Sequence, residues 1–238
     1  MTASFTTTMT NEQSIATRMQ SLVQEFEEGA DRRAIFLNCY MLMTQNVLKA
    51  VEAREFNDPE WVLTLVHRFA DYYFDGLTTF KLNEASTSAV WRFTHHAADA
   101  PQTMVLQNLL LGVNAHINYD LVLTLVDLLE PEWKQLSAEQ CQQRHSDYCQ
   151  VNEIISHTID IVQDDVVERY SPIMDLVDKM LGTADEWLIS RLITNWRDEV
   201  WDRAVGMMGT ADAEERRMLA DQIEAITLKR ADAILLNK

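Results

Sequence analysis

Glycine and proline are scarce in this chain, six and four among 238 residues. That excludes a collagen-like or loop-dominated protein. Cysteine is scarcer still. Cys39, Cys141 and Cys149 are odd in number and form no CxxC pair. Cys141 and Cys149 stand eight residues apart in a segment with helical pattern, so they sit about 12 Å apart and cannot bond to each other. Free thiols fit a reducing compartment, and the expectation is cytoplasmic. Positive charge is also in deficit: 20 Lys and Arg face 37 Asp and Glu, a formal net charge of −17. An acidic surface argues against binding nucleic acid, where affinity comes from neutralising phosphates, and against an anionic membrane surface. The first ten residues lack a basic region and an apolar core, so no signal peptide is expected there. Uninterrupted apolar runs are missing too. The longest candidate, 105–129, is broken by Asn108, Asn114, His116, Asn118, Asp120 and Asp127, so no membrane span is expected.

Hydrophobic residues are plentiful at 47%, which excludes disorder. A chain of this length buries about three quarters of its unfolded surface without disulfide or metal staples. Its apolar positions repeat with helical period almost throughout. The Ser/Thr-rich residues 1–10 read as a mobile tail, leaving 11–238 as a single domain. Thr10 and Gln13 have capping-box spacing and open a first helix ending near Gly29. A second follows from about Arg32 to Arg54. Asp58, Pro59 and Glu60 supply a cap, a first-position proline and a first-turn acid for a third. Ser86 or Ser88 starts a fourth. Pro101 starts a fifth, apolar around most of its surface and therefore central, which Pro131 ends. Ser137 and Gln140 form another capping box, opening a sixth helix that runs to Arg169. A short seventh ends at Gly182, Thr183 caps an eighth, and the last ends near Leu236. The fold class is an all-α bundle of eight or nine helices around a buried helix at about 101–129.

Three helical segments carry polar groups that a pure core would exclude. His67, Asp71 and Asp75 lie one turn apart on one face. Such a His and carboxylate can share a metal, form a pair in which the acid fixes the imidazole tautomer, or be a surface ion pair with Arg68. The central helix holds Gly112, Asn114, His116, Asn118 and Asp120. Its even-numbered polar positions point to two neighbours, with His116 and Asp120 together on one side. Buried without partners they would cost roughly 1–3 kcal/mol each, so a polar network, a metal or a water-filled pocket must satisfy them. Gly112 costs a helix about 1 kcal/mol and implies close backbone approach or a local distortion. Asp160, Asp164 and Glu168 repeat every four residues after His157. Like charges at that spacing repel unless solvated, paired or holding a cation. Oxygen ligands suit Mg²⁺ or Mn²⁺, and added His admits Zn²⁺ or Fe²⁺. Arg191, Asn195, Trp196, Arg197 and Trp201 form an aromatic-basic cluster, read as packing and pairing with acidic helices.

Leu110-Leu-Gly-Val-Asn-Ala-His116-Ile-Asn-Tyr-Asp120-Leu resembles the signature of the bacterial helical family catalogued as domain of unknown function 5995. Phe69-Ala-Asp-Tyr-Tyr73, Asp147-Tyr-Cys-Gln-Val-Asn152, and Trp196-Arg197 with Trp201 and Ala204 resemble it too, so the similarity covers about residues 30 to 210. His116-x-x-x-Asp120 is also similar to a helical step of the zinc-dependent phospholipase C and nuclease family. That resemblance implies Asp120 shared by metals and His116 binding one, although Leu121-Val-Leu-Thr-Leu-Val126 follows where that family has a further His. Asp164-Asp165-x-x-Glu168 looks like the Mg²⁺-diphosphate motif of terpene synthases.

Three functions are consistent with these residues. The first is a metal-dependent hydrolase of a small ester or phosphoester. His116 and Asp120 are its ligands, His67 and Asp71 its second side, Asp160 and Asp164 further candidate ligands, and Asn114, Asn118 or Asn152 orient substrate. The second is a metal-free or Mg-diphosphate-dependent cyclase or isomerase with an enclosed pocket, His116 as acid/base and Asp120 as its orienter. The third is a non-catalytic binding or scaffold protein. A homodimer is the default expectation for oligomeric state.

Overall fold

The computed structural model describes residues 2–162, 168–170 and 183–236, with side chains at 15–158, 169–170 and 189–236. Its helices are α1 (Thr2–Glu28), α2 (Arg33–Glu52), α3 (Pro59–Leu82), α4 (Ala89–Asp99), α5 (Val105–Ala115), α6 (Leu121–Trp133), α7 (Ala138–Val162), the single turn α8 (Glu168–Tyr170), α9 (Thr183–Gly209) and α10 (Ala213–Leu236). A π turn, His116–Asp120, joins α5 to α6 without a break in helical direction. Counting α5–π–α6 as one, eight helices exceed a single turn, and the described residues contain no strand.

Local chemistry explains most of the boundaries. The Asp58 carboxylate accepts from the Trp61 N–H at 3.0 Å, with Pro59 at the first helical position of α3. Ser88 Oγ accepts from the Trp91 N–H at 3.3 Å and starts α4. The Ser137 box is reciprocal: Gln140 N–H donates to Ser137 Oγ at 3.2 Å, and Ser137 N–H donates to Gln140 Oε1 at 2.8 Å. Three boundaries differ from expectation. α1 runs from Thr2, so the Thr10 box lies inside a helix. Pro101 sits in a turn, and α5 starts at Val105, where Gln107 Oε1 accepts from the Met104 N–H at 3.0 Å. Pro131 falls within the last turn of α6, which ends at Trp133. The expected short helix ending at Gly182 lies outside the described residues.

Two large apolar clusters build most of the interior. One gathers α1, the first half of α2, the second half of α3 and α4 around Ala115. The other gathers the ends of α2 and α7, the start of α3, α6, α9 and α10. The α5–π–α6 helix runs through both. By length and composition alone Val105–Trp133 could cross a membrane, but 78% of its most apolar window is buried inside the bundle.

At Gly112 the central helix packs tightly against Phe36 of α2. A Cβ there would stand 2.3 Å from Phe36 Cγ and 2.6 Å from Phe36 Cβ. Both features that a mid-helix glycine implies are present, a close approach and, four residues on, a distorted turn.

Candidate functional site

The π turn carries a buried dyad. His116 Nδ1 lies 2.9 Å from Asp120 Oδ2, with both side chains buried. Trp91 Nε1 reaches over from α4 and donates to both Asp120 oxygens at 3.0 Å. The indole packs against Gly76 on α3, its ring 3.4 Å from where a Cβ would stand. Burial lowers the His116 pKa and outweighs the pull of Asp120 toward the charged form. The imidazole is therefore neutral near pH 7. Burial also raises the Asp120 pKa, against the pull of His116 and of the Trp91 N–H; with Asp120 ionised, Nδ1 is the protonated nitrogen and Nε2 carries a free lone pair.

Nε2 is buried and has no hydrogen-bond partner. Such an orphan is costly in a native core, and its presence asks for a reason. Aromatic rings surround the imidazole. Phe69 stacks flat on it at 3.6 Å between centroids, and Tyr40 meets it edge-on at 4.3 Å. The Tyr40 hydroxyl is also buried without a hydrogen bond, and burial raises its pKa well above the ordinary value.

A cavity of about 120 Å³ opens beside this ring, at the meeting of the two apolar clusters. Val62, Phe69, Leu121 and Ile155 contribute apolar wall; Tyr40, His116 and Arg197 contribute polar groups. Cys39 lines it too, its thiol pushed up to about 12 by burial and so neutral.

The Asn residues flanking His116 face the other way. Asn114 donates to the Thr227 carbonyl at 3.0 Å, and Asn118 donates to Asn114 Oδ1 at 3.0 Å. Arg230 donates to Asn118 Oδ1 and pairs with Glu199 at 2.6 Å. This network fastens α10 to the π turn. Even spacing on a helix thus divided the polar residues as expected, His116 and Asp120 to one side, where His116 lines the cavity, and the two Asn to a neighbouring helix.

The other expected ligands are not gathered here. His67 is half-buried, and its Nε2 has no hydrogen-bond partner. Burial lowers its pKa against the pull of Asp71. It does not line the cavity, and Asp71 and Asp75 are exposed. Arg68 pairs instead with Asp127, which also accepts from the Tyr72 hydroxyl at 2.8 Å. Exposed His157 donates from Nδ1 to the Glu153 carbonyl at 2.7 Å. Asp160 lies on α7, but its side chain, with Asp164, lies outside the described residues. Among the described residues no three His, Cys, Asp or Glu side chains are placed to hold one metal ion.

Two further motif segments converge on the far wall. Tyr148 Oη donates to the Arg197 carbonyl at 2.6 Å, and Arg197 Nη2 donates to the Tyr148 carbonyl at 2.8 Å. Asn152 Oδ1 takes Arg197 Nε at 2.6 Å. Asp147 receives the backbone N–H groups of Asn57 and Asp58 at 2.7 and 2.8 Å, fixing the entry to α3. The expected pairing of Arg197 with an acid is absent among the described residues. Tyr40, Phe69 and Trp91 were the side chains sequence reasoning missed as site residues. Each falls on an ordinary core position of its helix, and only proximity to His116 distinguishes it.

A buried His–Asp dyad on a π turn, beside an apolar cavity in an all-α bundle, defines the class of site. Over residues 13–237 the chain matches the family of unknown function DUF5995, and it belongs to that family. No curated protein and no solved structure matches it.

Proposed function

We propose that this protein is a metal-independent acid/base enzyme of the isomerase or cyclase type, acting on a small, largely apolar molecule held in the cavity. One observation carries the reading: His116 Nε2 is buried and unpartnered on the wall of an apolar cavity, while Asp120 fixes its other nitrogen. A neutral imidazole so oriented accepts a proton from substrate through Nε2, and Asp120 stabilises the imidazolium that forms. The low-dielectric surroundings strengthen that stabilisation. The π turn supports the assignment, since such distortions are frequent at functional sites. The same Nε2 then returns the proton to another atom of the substrate, which balances an isomerisation.

A known substrate is not needed for the test. Small ketones of cavity size, such as cyclohexanone, exchange α-protons with D2O by loss of the proton to a base and return of a deuteron. The protein should accelerate this exchange, read by NMR, and His116→Gln should abolish the acceleration while remaining folded. No acceleration with any ketone that binds would overturn the reading.

Metal-dependent hydrolysis stands as a second reading, favoured by one feature. An imidazole with Nδ1 on a carboxylate and Nε2 free has the wiring of a metal-ligating histidine. Elemental analysis of protein purified without chelator separates the two. Metal near one equivalent, lost in His116→Ala, supports the second reading over the first.

A further inference from the structure

Arg197 is 4% exposed, yet no carboxylate among the described residues forms an ion pair with it. Its guanidinium lies over the Tyr148 ring at 4.2 Å. Nε and Nη2 are taken by a neutral amide oxygen and a backbone carbonyl, and Nη1 is engaged by neither. A buried charge without a counter-charge is expensive, and proteins normally pair it. Other partly buried arginines pair with carboxylates, Arg33 with Asp31, Arg144 with Asp58 and Arg230 with Glu199. Arg197 differs because it lines the cavity.

The remaining titratable groups on that wall are neutral near pH 7. The Cys39 thiol and the Tyr40 hydroxyl are held protonated by burial, and burial keeps His116 uncharged. Asp120 is not on the wall; it sits behind His116 and Trp91. Asp198 follows Arg197 on α9 but is exposed. Among the described residues, the cavity is therefore an apolar space with one fixed positive charge and, with Asp120 ionised, one free imidazole lone pair.

We infer that the ligand of this cavity is a small apolar carboxylate, its anionic group seated on Arg197 and its hydrocarbon body against the apolar wall. This rests on the cavity being the binding site, as in the function proposed above, and adds the charge of what it takes. Guanidinium and carboxylate match in planar donor and acceptor geometry. Size bounds the ligand: an engineered apolar cavity of about 150 Å³ takes benzene, and this space is smaller at about 120 Å³, so the hydrocarbon body is at most a single small ring or a short branched chain. The acidity of the whole chain does not oppose this. Surface charge is screened over about 10 Å at 0.1 M salt, whereas Arg197 acts inside the bundle.

Calorimetry with three probes of one shape, benzoate, benzamide and toluene, tests the inference on the intact chain. Benzoate should bind at least tenfold more tightly than benzamide or toluene. Arg197→Met should erase that preference and leave toluene binding unchanged. Should Arg197→Met fail to fold, the wild type alone decides. Carboxyl-labelled benzoate, followed by 13C NMR, should stay ionised when bound at pH values where free benzoate is already protonated. Benzoate binding no better than benzamide, or taking up a proton more readily when bound, overturns the charge assignment while toluene binding leaves the cavity standing. No binding of any probe to folded protein overturns both. Ketone exchange without benzoate preference would retain the acid/base reading and discard this one.

Discussion

Two glycines test opposite consequences of losing a hydrogen for a methyl. At Gly112 the added Cβ would stand 2.3 Å from the Phe36 ring. The helix-propensity gain of about 1 kcal/mol is outweighed by overpacking, which costs about 1–3 kcal/mol. Urea denaturation of Gly112→Ala should show a net loss of stability. At Gly206, on α9, nothing lies within 4 Å of the same position. Gly206→Ala should therefore raise stability by up to about 1 kcal/mol, read as a higher urea midpoint. His95 gives a pH signature. Burial, with Arg33, His96 and Lys81 nearby and only Asp31 opposing, holds its pKa down to about 3 from 6.5. The unfolded chain takes a proton there below pH 6.5 and the native chain does not. Stability should fall as pH drops from 6.5 toward 3, by up to about 1.4 kcal/mol per pH unit from this group. His95→Phe should flatten that share of the slope between pH 6.5 and 4.5.

Helix starts were legible where short polar side chains make them, and the end of α1, expected near Gly29, falls at Glu28; what the sequence did not show is the backbone geometry that ends it. Asp58, Ser88 and Ser137 announce their helices because a short polar side chain in front of an apolar period has few other uses. The end of α1 is different. Ala30 adopts φ 52°, in the left-handed region, and the Asp31 N–H reaches back to the Phe26 carbonyl at 2.7 Å. Glycine normally occupies that position, and here Gly29 stands one residue too early. Ala30→Gly should stabilise the protein by about 1 kcal/mol, read as a higher thermal midpoint. Pro101 misled for a related reason: proline marks a first turn of helix and a tight turn equally well. The π turn left no mark in composition beyond Gly112. Its consequence, that His116 faces the cavity while Asn114 and Asn118 face α10, was legible only as a division of polar positions between two sides.

At the scale of the molecule, the all-α bundle around one buried helix followed from periodicity, while the cavity did not. A cavity is a property of several helices packed together. Val62, Phe69 and Ile155 read as ordinary core along their own helices, and nothing in any one segment says that the space between them is unfilled. Arg197 shows the same gap. Its neighbours in sequence suggested an acid partner, and the fold instead gave it Tyr148 and Asn152. The whole chain's charge of −17 makes a separate prediction. Self-repulsion of the folded state should exceed what exposed pairs such as Arg217 with Glu214 and Asp221 return, because such pairs contribute little. Raising KCl from 10 to 200 mM should therefore raise the thermal midpoint; a fall would mean that the ion pairs dominate.

The π turn also fixes the phase of the central helix. It holds one residue more than an α-turn would, so α6 is rotated by about 100° from where an unbroken α5 would carry it. That offset lets one continuous rod present α5 to α2, α4 and α10 while presenting α6 to α3 and α9. Removing a single residue between His116 and Asp120 would preserve composition, length and hydrophobicity almost unchanged. It would nevertheless turn thirteen residues of α6 away from their partners at once. For this chain, a one-residue deletion in the middle of its central helix is a change of architecture.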